Sequence, residues 1–133
     1  MSHADLLRRN YERVAAPGGI QAIVATLHPD HELRDFSVGP PPKVYRGRDG
    51  FLTWARQSMT AFADTTMEPR EFEEHGDTVL VTLEVRATGV TSGAPFDLLV
   101  HHVCEMRDGL VWRTSSYPDG ATARAAAGFP PAA

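Results

Sequence analysis

One thiol, Cys104, is present in 133 residues, so an intramolecular disulfide is impossible and a reducing compartment is the expected setting. Long hydrophobic runs are missing too. No stretch approaches the roughly 20 apolar residues that span a bilayer, and Arg8 and Arg9 interrupt any leader-like run. The expected location is cytoplasmic, with no membrane partner. Basic residues are scattered, and 13 Lys and Arg against 17 Asp and Glu leave a formal charge of -4. A nucleic-acid groove needs clustered Lys and Arg to displace counterions, so no nucleic-acid partner is expected. No phosphate loop, dinucleotide fingerprint, nucleophile elbow or metalloprotease motif occurs. His28 and His31 lie three apart, but Pro29 denies them a shared helical face, so no metal is expected.

What is there is an ordinary globular composition, with 42% hydrophobic and 23% charged residues. The length suits one domain. A core of that size buries roughly two-thirds of the unfolded surface without a staple. The expectation is a single domain over residues 1–128, followed by a flexible tail at 129–133.

Ala4, Leu7, Tyr11 and Val14 recur at helical spacing, which predicts a helix over about 3–15, with Ser2 as N-cap and Asp5 three residues on. Pro17-Gly18-Gly19 breaks it. Ile20, Ile23, Val24 and Leu27 predict a second, shorter helix that Pro29 ends. A first strand follows at about 31–37, then a loop from Gly39 to Lys43 that includes Pro40, Pro41 and Pro42. A third helix is predicted over about 48–63, with Phe51, Trp54, Ala55, Ser58 and Phe62 on one stripe.

Beyond it the pattern changes. Residues 66–75, 78–90, 95–106 and 110–117 are rich in Val, Leu, Thr and Phe and predict strands. Short turns at Gly76-Asp77, Ser92-Gly93 and Asp108-Gly109 make them an antiparallel meander. Pro69 fits an edge strand. Asp119 can cap a last alanine-rich helix, with Gly128 as its stop. Helices first and a long bent sheet afterwards make an α+β domain. Helices across a concave sheet face leave a cone-shaped cavity for a small ligand.

Several pieces in this order carry a resemblance: Leu27-His28-Pro29-Asp30-His31-Glu32-Leu33-Arg34-Asp35, Tyr45-Arg46-Gly47-Arg48, Met106-Arg107-Asp108-Gly109-Leu110-Val111 and Ser116-Tyr117-Pro118-Asp119. Over roughly residues 3–128 the chain resembles SnoaL-like domain proteins of the NTF2-like superfamily, which also holds ketosteroid isomerases and limonene epoxide hydrolases. The resemblance implies a cone-shaped NTF2-like fold with a curved antiparallel sheet wrapped on N-terminal helices. It implies a homodimer, which the Val, Leu and Trp residues of the outer sheet face also favour. Members do different chemistry or none, so reaction is argued from residues.

By the same resemblance, Tyr11 and Asp35 match the oxyanion tyrosine and general-base aspartate of ketosteroid isomerases. The second oxyanion donor falls on His102, or on His101 when counted across the turn. Asp119 resembles the acid that closes the last strand in epoxide hydrolases. Those enzymes also need an Arg-x-Asp pair, whereas Glu84-Val85-Arg86 reverses the charges, so epoxide hydrolysis is the poorer fit.

The residues themselves have further readings. Asp35 shares strand parity with Leu33 and is expected to face inward, or else to be a surface acid paired with Arg34 or Arg46, or to cap the following loop. Tyr11 lies on an apolar helical stripe, where a core role is the alternative. Adjacent strand residues face opposite ways, so one of His101 and His102 points inward; His102 shares its face with Cys104 and Met106. Asp119 is equally a plain N-cap. Trp54, Phe62, Met59, His101 and Trp112 are candidates for the pocket wall, and Trp112 alternatively for a dimer face. Removing a proton alpha to a carbonyl takes one base and donors for the oxyanion, with no cofactor. The expected partner is a small apolar or polyketide-like molecule. The expected function is cofactor-free binding of that molecule, with isomerase, cyclase or hydrolase chemistry through Asp35 if the chain is an enzyme; the alternative is a non-catalytic binding or interaction module.

Overall fold

The computed structural model describes residues 2–39 and 41–132. The elements run α1 (His3–Arg13), α2 (Gly19–Val24), β1 (Leu27–Asp35), β2 (Lys43–Arg46), α3 (Gly47–Ala61), β3 (Phe62–His75), β4 (Thr78–Gly89), β5 (Pro95–Arg107), β6 (Leu110–Tyr117) and α4 (Gly120–Ala127). The helix ends follow from their residues. The Ser2 hydroxyl accepts from the Asp5 N–H, and the Asp5 carboxylate accepts from the Ser2 N–H, a reciprocal cap. Asp119 accepts from the Thr122 N–H at the start of α4, and Gly128 ends that helix at φ 77°.

The strands form one sheet in the order β2-β1-β6-β5-β4-β3. β3 to β6 are the expected meander, with Pro69 on the outermost strand. Between β5 and β6, Asp108 and Gly109 have φ values of 56° and 74°. Two successive positive values make the turn whose twist matches the strands it joins. β1 runs parallel to β6 and antiparallel to β2. Register shifts in the β1–β6, β3–β4 and β5–β6 pairings mark bulges, which bend the sheet.

Period-two alternation assigns the two faces. On β4, Val79, Val81 and Leu83 are fully buried in one cluster with Leu7, Tyr11 and Phe51 from the N-terminal helices. Leu80, between them, packs the other way, with Val103, Tyr117, Ala123 and Phe129 beneath α4. The inner face therefore holds α1 to α3, and the outer face holds α4.

Four expectations change. Leu27 and Pro29 lie in β1 and do not close α2. Proline has no ladder donor, and the β1–β6 register shifts between Leu27 and Glu32, so the strand takes Pro29 in as an irregularity. β2 occupies the end of the expected loop, and Pro40 lies outside the described residues. α3 stops at Ala61, so Phe62 opens β3 and leaves the helical stripe. Phe129, expected in a flexible tail, is 8% exposed, with its ring 4.3 Å from that of His75. Arg124, on α4, also donates to the Pro130 carbonyl at 2.8 Å, which ties the chain after α4 back to that helix. Among the described residues, no helix is long and apolar enough to cross a membrane.

Candidate functional site

Between the helices and the inner sheet face lies a chamber of about 60 Å³. Its wall is largely apolar, with Leu7, Ile23, Leu33, Phe51 and Val111 among the lining residues. Four polar side chains, Asn10, Tyr11, His102 and Thr114, interrupt it. A second cavity of about 520 Å³ adjoins it and shares Val14, Phe51, Trp54 and Met67 as a common partition. The inner chamber has room for a few waters. The outer one has the size of a small-molecule site, about 300–1,000 Å³.

Tyr11 and His102 meet inside. The Tyr11 hydroxyl lies 2.9 Å from His102 Nδ1 and 3.7 Å from Cys104 Sγ. Helix α1 supplies the tyrosine because residues 7, 11 and 14 fall on its buried stripe. Strand β5 supplies the histidine because residues 102, 104 and 106 alternate inward. Burial pushes the His102 pKa down to about 4, with the nearby Asp35 charge opposing and His101 adding to it. Burial raises the Tyr11 hydroxyl well above its ordinary value, helped by Cys104. Burial also pushes the Cys104 thiol up to about 12, against the hydrogen bond from Tyr11. All three groups are therefore uncharged at neutral pH, and Cys104 is not a thiolate nucleophile.

A second imidazole stands on the same face. His31 is 1% exposed, and its Nε2 lies 3.1 Å from Thr114 Oγ1. Burial lowers its pKa to about 4, with Glu32 opposing. His31 Nδ1 and Asn10 Oδ1 are buried without hydrogen-bond partners.

The other expected residues separate. Asp35, Ser116 and His102 stand in one row across β1, β6 and β5. Yet the Asp35 carboxylate lies at the strand end, outside the chamber wall, where it accepts from the Ser37 N–H at 2.9 Å and from the Ser37 hydroxyl. The β1 strand runs out there, and a carboxylate two residues before a free N–H closes a local turn. Of the expected pocket wall, Trp54 is in place. Met59, 67% exposed, borders only the outer cavity, because it sits on the solvent side of α3. Phe62 lies edge-on to Phe96 outside both cavities.

Trp112 is outside the chamber as well. It sits beside the β5–β6 bulge, between the Arg107 and Arg113 guanidinium groups at 3.8 Å and 4.2 Å from its ring centre. His101 faces the outer side, under α4, where it lines an open groove of about 820 Å³. Asp119 is the α4 cap, accepting from the Thr122 N–H and hydroxyl at 2.8 Å and 2.7 Å. Those bonds, the hydroxyl's first, lower its pKa.

The outer groove is the larger cavity, but two of its charged groups, Arg124 and Glu73, are paired at 2.7 Å. The inner chamber is the one lined by a residue with a buried, unpartnered polar atom, Asn10 Oδ1, while His31 lies behind its wall. Asn10, His31 and Thr114 are absent from the expected site. The signals were, for Asn10, a polar residue three positions after Leu7, where the apolar stripe continues, and, for His31, parity with Leu33; Thr114 faces inward through its pairing with Cys104 beyond the β5–β6 bulge, which sequence parity does not show. Among the described residues, no three His, Cys, Asp or Glu side chains are grouped as a metal site requires.

Residues 7–114 match the family model described as SnoaL-like domain. An NTF2-like protein of unknown function from Burkholderia pseudomallei K96243 is 24% identical, with a TM-score of 0.78 over 94% of this chain and 97% of that one. A protein named for its likeness to SnoaL polyketide cyclases, from Jannaschia sp. CCS1, has a TM-score of 0.78 at 16% identity, covering 96% and 92%. TerC, crystallised with polyporic acid, has a TM-score of 0.75 at 24% identity, covering 90% and 92%. At these identities the likeness is one of fold. No curated protein matches the chain.

Proposed function

The chain belongs to the SnoaL-like domain family, and from that premise we propose that the chamber and its outer cavity form one small-molecule site that catalyses cofactor-free proton transfer, of isomerase or cyclase type. The ligand is a mainly apolar, polyketide-like carbonyl compound. Its carbonyl end enters the inner chamber and its body fills the outer cavity, with Trp54 and Met67 moving aside. The bound polyporic acid of TerC and the cyclase likeness of the Jannaschia protein support that ligand class.

The observation that carries the reading is the buried Tyr11–His102 pair in an otherwise apolar chamber. A phenol and a neutral imidazole hold two hydrogens between them, and their mutual bond uses one. If Tyr11 donates to Nδ1, the Nε2–H is left free. If the Nδ1–H donates to the phenol oxygen, the Tyr11 O–H can turn from Cys104 Sγ, 3.7 Å away, toward a ligand. Either tautomer presents one donor. A ligand that displaces the chamber's water makes such a donor effective toward an oxyanion forming on its carbonyl. An imidazole held neutral by burial suits donation better than proton uptake, so the acceptor role falls to Asp35. The carboxylate stands in the same cross-strand row, near enough for its charge to act on His102.

One observation favours a second reading, a non-catalytic binder: Asp35 is held by Ser37 and does not line the chamber. Deuterium exchange separates the two. With 1-tetralone in heavy water, the protein is expected to accelerate exchange alpha to the carbonyl. Asp35→Asn is expected to abolish that acceleration while leaving the circular dichroism unchanged. Exchange that survives the substitution removes Asp35 from the mechanism. Binding without any acceleration supports the binder.

A further inference from the structure

Asn10 occupies a place that an apolar residue would fill at less cost. It is 6% exposed on the buried side of α1 and lines the chamber next to Tyr11. One half of its amide has a clear task. Nδ2 donates to Thr26 Oγ1 at 2.8 Å, while the Thr26 hydroxyl donates its only hydrogen to the Ile23 carbonyl at 2.7 Å. That second bond fixes the first. With its hydrogen committed, Thr26 Oγ1 can only accept, so the amide must present its N–H₂ side to Thr26. The oxygen is left over, buried and without a partner. A buried acceptor with no donor is unfavourable, and a donor brought by a ligand removes the penalty.

We propose that Asn10 determines specificity by accepting a hydrogen bond from the ligand, so the preferred ligand carries a hydroxyl or N–H group as well as a carbonyl. This rests on the chamber being the ligand site, and it narrows the ligand class from apolar carbonyl compounds to hydroxy- or amino-carbonyl compounds. The chamber then reads two opposite polar features. The Tyr11–His102 pair supplies a donor to a carbonyl oxygen, and Asn10 Oδ1 receives a hydrogen from the ligand. Replacing O–H by O–CH₃ on the ligand would leave Oδ1 unpartnered and add bulk beside it.

The test uses three probes, 1-tetralone, 6-hydroxy-1-tetralone and 6-methoxy-1-tetralone, titrated into the full chain by isothermal calorimetry. The wild type is expected to bind the hydroxy probe about tenfold more tightly than the methoxy probe. Asn10→Leu keeps the side-chain size, removes the acceptor and is expected to bring that ratio to about one, with 1-tetralone bound at least as well as before. A purely structural asparagine would instead weaken all three probes alike, and that result overturns the proposal. So does a wild type that does not distinguish hydroxy from methoxy, or a leucine variant that keeps the preference.

Should Asn10→Leu fail to fold, Thr26→Val gives the second reading. It frees the amide to turn its N–H₂ toward the chamber, so the preference is expected to shift toward the methoxy probe. An unchanged ratio counts against Asn10. If none of the probes binds the wild type, the pocket reading fails first and this inference falls with it. Equal binding of all three defeats this inference alone.

Discussion

The two faces of the sheet handle polar groups in opposite ways. On the outer side charges are paired with charges. Glu84 lies between Arg70 and Arg86, Arg86 also holds Asp97, and Arg124 grips Glu73. Arg70, first among these contacts, helps to hold the Glu84 carboxyl down at about 2. Water reaches the participants, so solvent screens each pair and its contribution to stability is small. On the inner side the shifts run toward neutrality, for Tyr11, His31, His102 and Cys104 alike. Where water and counter-charges are near, an ionised group is cheap and chemically quiet. Where both are absent, a group stays uncharged and each single hydrogen has a defined place.

Acid tests the contrast most severely. His31 and His102 both have folded-state pKa values of about 4, below the ordinary 6.5. The unfolded chain therefore binds protons first as pH falls. Stability is expected to hold its full value above pH 6.5 and to drop between pH 6.5 and 4. Each imidazole contributes up to about 3 kcal/mol to the fall. Urea denaturation at pH 7.5, 5.5 and 4.5 measures it, and His102→Asn should remove that residue's share. A midpoint that stays level from pH 7.5 to 5.5 would mean that the inner face is wet.

Asp119 offers an intermediate case, because it is exposed but bonded to the first turn of α4. Asp119→Ala is expected to lower the urea midpoint at pH 7, because the first turn of α4 loses its cap. It should leave probe binding in the chamber unchanged, and altered probe binding would tie the acid to the site. Arg86→Ala belongs at the small end. It breaks two contacts on the outer face, yet little change in the urea midpoint is expected, and less still in about 0.5 M salt. A large drop in the midpoint would show that the outer network is rigid and dry after all.

Much of the fold was legible from the residues. The Ser2 and Asp5 cap, the four-strand meander with Asp108-Gly109 at its last turn, and the Asp119-to-Gly128 helix all rest on local chemistry. β2 escaped because four residues with only Tyr45 buried give too short an alternation. Leu27 fits a helical spacing with Ile20, Ile23 and Val24 and a strand equally well, and only the pairing with Val111 decides.

The site was half legible. Tyr11 and His102, 91 positions apart, touch where the family resemblance brings them together. Asp35 has the expected parity, but parity fixes a face and not a depth, and the strand ends before the carboxylate reaches the chamber. Asn10 was hidden because a polar letter on an amphipathic helix looks like surface until its neighbours are known.

Cys104 gives the interior its own clock. The thiol is 1% exposed and pushed up to about 12, and it lies on the chamber wall within 3.7 Å of Tyr11. An alkylating reagent outside finds nothing to attack while the cone stays shut. Modification therefore tracks how often the chamber wall opens, and a molecule lodged within would slow it.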